Sequence, residues 1–132
     1  MAGYSTTPLP KKLGLKPGIR GWVVNSPAGY AALLPGFESL WLVPTDGELE
    51  WIQAFFAERA DLEREFASLK ARLVSSGQLW ISWPKKSGSL RSDLNENIVR
   101  DIGLAGGLVD VKVAAVTEDW SGLKFVYRTR DR

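Results

Sequence analysis

The sequence contains no cysteine and no histidine. The first absence excludes disulfides, thiolate catalysis and zinc ribbons, and the second removes the commonest general base and transition-metal ligand. No apolar run approaches the roughly 18 residues of a membrane span, and the start, Met1 to Leu15, lacks the apolar core of a signal peptide. We therefore expect a cytoplasmic protein with no membrane partner and no metal site.

Acidic residues are missing from the first part of the chain. No aspartate or glutamate precedes Glu38, whereas four basic residues do: Lys11, Lys12, Lys16 and Arg20. The remainder has 13 of the 17 basic residues against all 15 acidic ones. Because the excess positive charge is confined to an N-terminal arm, it does not indicate a broad nucleic-acid-binding face. Nucleic acid is accordingly an unlikely partner.

The length of 132 residues and the apolar content of 45% are typical of one domain with a single core. Pro8, Pro10 and Pro17 favour an extended conformation for residues 1–18, which we interpret as an N-terminal strap. Residues 19–132 then form a single α/β domain.

Apolar runs bounded by turn residues predict the strands. The run Ile19 to Asn25 is typical of a strand covered on both faces, and a brief helix is predicted at Tyr30 to Leu34. Further strands are expected at Leu40 to Val43, Leu49 to Ala57, Gln78 to Trp83, Val109 to Val116 and Lys124 to Arg128.

Two amphipathic helices are predicted between these strands. The first has apolar residues at helical spacing: Leu62, Phe66, Leu69 and Leu73. The second begins at Asp93, whose carboxylate can cap a helix together with Glu96 in a capping-box-like arrangement.

This order of elements, ending in a hairpin, resembles the C-terminal half of a class I methyltransferase-like sheet. The segments that carry the likeness are Leu15 to Tyr30 and Leu73 to Lys86. It implies an α/β class, with one three-layer Rossmann-like (methyltransferase-like) domain. About six strands are expected, mostly parallel, with an antiparallel C-terminal strand.

The whole chain also resembles a small bacterial family of domains of unknown function with a Trp-Pro-Lys-Lys signature. The residues that carry this resemblance are Tyr4 to Pro8, Lys16 to Gly18, Trp83 to Lys86, Trp120 to Gly122 and Phe125. Neither likeness by itself implies an activity.

The loop after the first strand departs from the pattern of a working methyltransferase, which needs glycines there so that backbone can approach S-adenosylmethionine. Only Gly29 is present, and Pro27 removes an N–H. Asp46, about 20 residues farther on, is the candidate for contacting ribose hydroxyls. We expect no cofactor, and S-adenosylmethionine with Asp46 is the alternative.

Two loops at the carboxyl ends of strands are candidates for a ligand site, because ligands of open α/β sheets gather there. Taking the two strands to be adjacent, we expect a cationic, aromatic-lined crevice for a small anion. The candidate residues are Asn25, Ser26, Gly29, Tyr30, Trp83, Lys85 and Lys86. The alternative is that these side chains only satisfy turn backbone and solvent.

Two further patterns are open to a functional or a structural interpretation. Ser82 and Lys85 match the Ser-x-x-Lys pattern of serine acyl-enzymes, but Pro84 on a strand end makes this a chance match. Trp51 and Phe55 would form a surface for self-association if their strand face were exposed, and core residues otherwise.

The sequence favours a non-catalytic methyltransferase-like binding or protein-interaction domain with a small-anion crevice and no catalytic residues. One alternative is a degenerate S-adenosylmethionine-dependent enzyme or another small-molecule enzyme. A second is a weak single-stranded nucleic-acid binder. A homodimer or an unidentified protein partner is left open.

Overall fold

The computed structural model describes residues 7–45 and 47–132. The strands are β1 (Gly21–Val24), β2 (Leu49–Phe55), β3 (Leu73–Pro84), β4 (Leu108–Ala115) and β5 (Trp120–Tyr127). The α-helices are α1 (Leu9–Lys12), α2 (Arg59–Ala71) and α3 (Glu96–Ala105). Short 3₁₀ helices occupy Tyr30–Leu33, Glu38–Trp41 and Thr129–Asp131.

The described strands form one sheet in the order β1-β2-β3-β5-β4. The pairs β1–β2 and β2–β3 are parallel, whereas β5 runs antiparallel to both β3 and β4. Strand β4 therefore points the same way as the first three strands. The predicted α/β class and the antiparallel C-terminal strand are confirmed, with five strands in the described residues.

The strand predicted at Leu40 to Val43 was wrong. Residues Glu38–Trp41 form a 3₁₀ helix in which Leu40 is buried and Trp41 partly buried against the second core, whereas Leu42 and Val43 are 71% and 70% exposed. An apolar run of four residues carries no information about how many of its side chains are buried. Here two of the four apolar side chains of the run are exposed, so the run is not a buried strand.

The predicted capping of the second long helix by Asp93 was also wrong. Helix α3 starts later, and the side chain of Asn95 accepts a hydrogen bond from the Ile98 backbone N–H at 2.9 Å. Asp93 Oδ1 instead accepts from the backbone N–H of Arg59, at 2.7 Å, where α2 begins. A carboxylate near one helix start in sequence thus satisfies an unpaired N–H of another helix.

One face of the sheet packs against α2 and α3. Side chains on a strand alternate between its two faces, and those on this face include Ile52 of β2, Ile81 of β3 and Phe125 of β5, all fully buried. Helix α2 contributes Phe66, whose ring meets that of Phe125 edge-on at 5.9 Å. The helices and this face make the first core.

The opposite face is covered by the N-terminal segment and the 3₁₀ helices. The indole N–H groups of Trp51 and Trp80 both donate to the backbone carbonyl of Leu13, at 2.8 and 3.1 Å. Trp51 and Phe55 are buried in this second core, so they are core residues and not a surface. Within the segment predicted to be extended, Leu9–Lys12 form one helical turn, α1.

None of the helices in residues 7–45 and 47–132 has the length and apolar character needed to cross a lipid bilayer.

Candidate functional site

A cavity of about 790 Å³ opens at the carboxyl ends of β2 and β3. This is the position at which open α/β sheets bind ligands. Its wall is made by residues that follow the two strands and by the loop before α3: Ala57, Glu58, Ala60, Trp83 to Lys86 and Leu90 to Asn95.

The loop before α3 is held against the start of α2 by hydrogen bonds. Ser92 Oγ donates to the carbonyl of Ala57 at 2.6 Å and accepts from the backbone N–H of Leu94 at 3.0 Å. Together with the bond from the Arg59 N–H to Asp93, these contacts fix the rim of the cavity. Hydrogen bonds between side chains and backbone therefore hold the rim of the site in place.

The turn that leaves β3 is anchored from its other side. The backbone N–H of Lys85 donates to the carbonyl of Asp119 at 2.7 Å, and that of Gly88 donates to the carbonyl of Lys85 at 3.0 Å. Trp83 is 5% exposed and belongs to the first core. The turn thus has a buried aromatic base and presents its two lysines from a fixed backbone.

The lining carries charges of both signs. Three side chains are cationic, those of Lys85, Lys86 and Arg91, and two are anionic, those of Glu58 and Asp93. Asp93 already accepts a backbone hydrogen bond, so Glu58 is the lining carboxylate with no protein hydrogen bond in the described residues. The cavity can therefore bind an anionic group and, at a separate point, accept hydrogen bonds.

The structure brings together three of the predicted site residues, Trp83, Lys85 and Lys86. The predicted adjacency of the two ligand loops was wrong, because β2 lies between β1 and β3. Two strand spacings, roughly 10 Å, therefore separate the exits of β1 and β3. Local sequence does not record which strand enters the sheet between two others, and the residues of the first loop do not line this cavity.

The residues of that first loop divide into packed and open positions. Ser26 Oγ accepts from the indole N–H of Trp41 at 3.0 Å, and the Tyr30 hydroxyl donates to Gln53 Oε1 at 2.7 Å. Asn25 is exposed in a left-handed conformation (φ 58°). Gly29 has φ 84°, and a Cβ there would meet no atom within 4 Å. Of the predicted residues in this loop, Asn25 and Gly29 are thus the exposed ones.

Sequence reasoning missed Glu58, Leu90, Arg91 and Asp93 as cavity residues. A signal for Glu58 was present, because it directly follows a strand of a predicted parallel sheet. Arg91 and Leu90 lie in a polar loop whose path is set by the contacts of Ser92, for which no local pattern exists. The predicted cofactor residue Asp46 lies outside the described residues.

Ser82 lies inside the sheet, as the structural interpretation of the Ser-x-x-Lys match required. It is fully buried and accepts from Gln53 Nε2 at 3.2 Å. Its hydroxyl therefore serves the core and does not reach the cavity.

No family model matches the sequence, and no curated protein matches it either. Solved structures do match. An S-adenosylmethionine-dependent methyltransferase from Aquifex aeolicus has a TM-score of 0.60 and 15% identity over 87% of this chain and 85% of its own. Magnesium protoporphyrin IX methyltransferase from Synechocystis, solved with bound S-adenosylhomocysteine, has a TM-score of 0.58 and 11% identity over 85% and 75%.

A putative methyltransferase from Thermoplasma acidophilum matches over 95% of this chain and 76% of its own, with a TM-score of 0.56 and 9% identity. Likenesses at such low identity establish the fold. The methyltransferase-like, Rossmann-like fold expected from the resemblance is thereby confirmed.

The comparisons correct two predictions. The favoured function, a non-catalytic binding or interaction domain, was wrong, because the matching structures include an S-adenosylmethionine-dependent methyltransferase and further methyltransferases and favour the enzyme alternative. The expectation of no cofactor was wrong for the same reason, since a matching structure carries S-adenosylhomocysteine. Both errors gave too much weight to the missing glycines after β1.

Proposed function

We propose that the chain is an S-adenosylmethionine-dependent enzyme domain of the methyltransferase type, with its site in the cavity at the exits of β2 and β3. The observation that supports this most directly is the position of that cavity. It lies at the carboxyl ends of parallel strands, in a fold shared with S-adenosylmethionine-dependent methyltransferases.

The residues of the cavity fit such a cofactor. The volume of about 790 Å³ lies within the range of small-molecule sites. Trp83, Leu90 and Leu94 offer an apolar wall for the adenine, and the unpaired carboxylate of Glu58 can accept hydrogen bonds from ribose hydroxyls. Arg91 offers a fork of donors for the cofactor's carboxylate. When bound, the cofactor supplies an electrophilic methyl group on a sulfonium.

The chain's own part in the reaction is to bind, to orient and to accept a proton. A substrate N–H or O–H that becomes methylated must lose its proton, and the sequence has no histidine to take it. Glu58 is the lining carboxylate that is free of protein hydrogen bonds in the described residues. We assign it to one of two roles, ribose contact or general base.

The two lysines after β3 define the class of substrate. Lys85 and Lys86 stand on an anchored turn at one wall of the cavity, which makes that wall cationic. An ammonium pair of this kind binds phosphate or carboxylate groups. We therefore propose a small substrate that carries an anionic group, as the sequence had led us to expect of a ligand.

Calorimetry with S-adenosylmethionine and S-adenosylhomocysteine tests the proposed cofactor. We expect saturable binding that Glu58→Gln and Arg91→Ala each weaken about tenfold, which corresponds to about 1.4 kcal/mol. Glu118→Gln is the matched control, because this exposed carboxylate lies outside the cavity. The absence of binding heat at millimolar ligand would reject the proposal.

We also propose that the chain is a cytoplasmic bacterial protein of the small family with the Trp-Pro-Lys-Lys signature. In support, the four signature residues, Trp83 to Lys86, all line the cavity. The shared segment would then be a ligand-binding turn rather than a folding motif.

A further inference from the structure

The first strand lies at the edge of the sheet. In the doubly wound arrangement the first strand is central and further strands lie on both sides of it. Here β1 pairs with β2 on one side, and no strand of residues 7–45 and 47–132 pairs with its other side. One row of backbone donors and acceptors of β1 therefore faces outward.

This edge has fewer of the features that prevent pairing with another chain, although the strand is only four residues long and the 3₁₀ helix Glu38–Trp41 contacts it. Strand β1 has the sequence Gly-Trp-Val-Val, with no proline, no lysine and no bulge. The opposite edge strand, β4, has an irregularity between Asp110 and Lys112 and carries the charge of Lys112. Bulges and charged residues of this kind block edge-to-edge pairing. Of the two edges, β1 is thus the one suited to accept a strand.

Apolar side chains surround the open edge. Leu42 and Val43 are the most exposed large apolar residues of the described chain, and they share a shallow depression with Gly21 at the start of β1. Trp22 and Val24 are only half-buried and line a groove of about 170 Å³ beside α2. Contiguous exposed apolar surface of this type marks an interaction site.

The groove beside α2 also carries opposite charges at its two ends. Arg72 lies at one end, with its guanidinium 5.8 Å from the centre of the Trp22 ring. Glu65 lies about two helical turns earlier, where its carboxylate is also 3.5 Å from Arg64 Nε. A two-fold axis that pairs two β1 strands antiparallel would place Glu65 of each copy toward Arg72 of the other. In a dimer with two-fold symmetry, each of these charges would therefore face the opposite charge of the other copy.

We propose that a second copy of this chain occupies the edge, with the two β1 strands antiparallel and Val23 opposite its own copy. In this register Trp22 of each copy packs beside Val24 of the other, on the same face of the joined sheet. The two five-stranded sheets then form one continuous sheet, and Leu42 and Val43 are covered. The dimer leaves the cavities at the exits of β2 and β3 open.

Sedimentation equilibrium of the full chain tests this dimer. We expect twice the chain mass of 14.6 kDa, and a dissociation constant that the double variant Leu42→Lys/Val43→Lys raises at least tenfold. Both side chains are exposed in the single chain, so the change does not threaten folding. Val111→Lys on β4, an exposed valine on the other edge, is the matched control and should leave the constant unchanged. A monomer at millimolar concentration overturns the proposal.

A charge exchange tests the two-fold arrangement. Glu65→Arg places like charges opposite each other and should weaken the dimer at least tenfold, whereas the double variant Glu65→Arg/Arg72→Glu should recover most of the loss. Amide hydrogen exchange supplies a second readout, in which the Val23 N–H is protected in the dimer and exchanges rapidly on dilution. The proposal is contradicted if the dimer forms without protecting the β1 amides from exchange. It is also contradicted if the dissociation constant is the same in the Glu65 and Arg72 variants as in the wild type.

Discussion

The Tyr30 hydroxyl donates a hydrogen bond of 2.7 Å to Oε1 of Gln53 in the middle of the second core. The amide nitrogen of Gln53 in turn donates to Ser82 Oγ at 3.2 Å. All three side chains are almost completely excluded from solvent. A 3₁₀ helix, β2 and β3 are thus joined by a polar chain whose members have partners, which is the condition under which buried polar groups are tolerated.

Removing the first donor of this chain should destabilise the protein. Tyr30→Phe keeps the ring and its edge-on contact with Phe55, but leaves Gln53 Oε1 buried without its donor. We expect the free energy of unfolding, measured with urea, to fall by about 1–3 kcal/mol. Tyr127→Phe is the control, since that hydroxyl is only partly buried, and its loss should be the smaller. Equal losses of unfolding free energy in the two variants would show that the cost does not come from leaving the buried Gln53 amide without its donor.

The same tyrosine should make stability depend on pH in alkaline solution. Burial raises the pKa of Tyr30 well above its ordinary value of 10.0. Between pH 10 and the raised pKa, the unfolded chain releases the phenolic proton while the folded chain keeps it. The free energy of unfolding therefore falls as pH rises above 10, by up to about 1.4 kcal/mol per pH unit.

Comparison with Tyr30→Phe isolates this contribution of Tyr30. Tyr127 and Lys124 also have shifted pKa values, but both residues are present in the wild type and in the variant. We expect the stability difference between the two proteins to be constant below pH 9 and to narrow above pH 10. If the free energies of unfolding of the two proteins differ by the same amount up to pH 11, Tyr30 is not the source of the pH dependence.

Gly103 sets the distance between α3 and the sheet. A Cβ at this helical position would clash with the ring of Phe125 on β5. Gly103→Ala should therefore destabilise the protein by about 1–3 kcal/mol, although alanine favours helix formation more than glycine. Asp101→Ala, on the exposed side of the same helix, should not be destabilising. If the Gly103→Ala variant were more stable than the wild type, α3 could move away from Phe125 without a loss of packing energy.

Asp93 should connect stability with the shape of the cavity. Asp93→Ala removes the acceptor for the backbone N–H of Arg59 at the start of α2. We expect a loss of about 0.5–2 kcal/mol in thermal or urea unfolding, together with weaker ligand binding because the rim loop loses an anchor. Arg91→Ala, two residues away, should leave stability unchanged. If Asp93→Ala alters neither property, the loop is held by Ser92 alone.

The sequence predicted the elements well where a periodic pattern was long. Leu62, Phe66 and Leu69 of the predicted pattern are buried on α2, whereas Leu73, which the pattern also assigned to the helix, is the first residue of β3. A short apolar run such as Leu40 to Val43 offered no such redundancy, and it was misassigned. Leu42 and Val43 of this run are exposed, so its apolar character did not reflect burial.

The order of the strands in the sheet could not be predicted from the sequence, and the position of the site depends on that order. That β2 separates β1 from β3 follows from long-range pairing such as Trp22 with Ile52 and Ile52 with Leu79. No local pattern encodes those pairs. Three of the expected site residues, Trp83, Lys85 and Lys86, line one cavity because their position depends only on the end of one strand. The first loop would reach them only if β1 lay beside β3, and β2 lies between them.

In the described residues, strand β4 is joined to the rest of the sheet through β5, which follows it in the chain. Until Trp120 to Tyr127 have emerged, one side of β3 has no neighbour and β4 has nothing to pair with. The sheet can therefore not be completed on this side of β3 before these residues have been synthesised. A nascent chain stalled before that point would expose the edge of β3 to other polypeptides, which makes premature termination a route to aggregation rather than to a smaller folded domain.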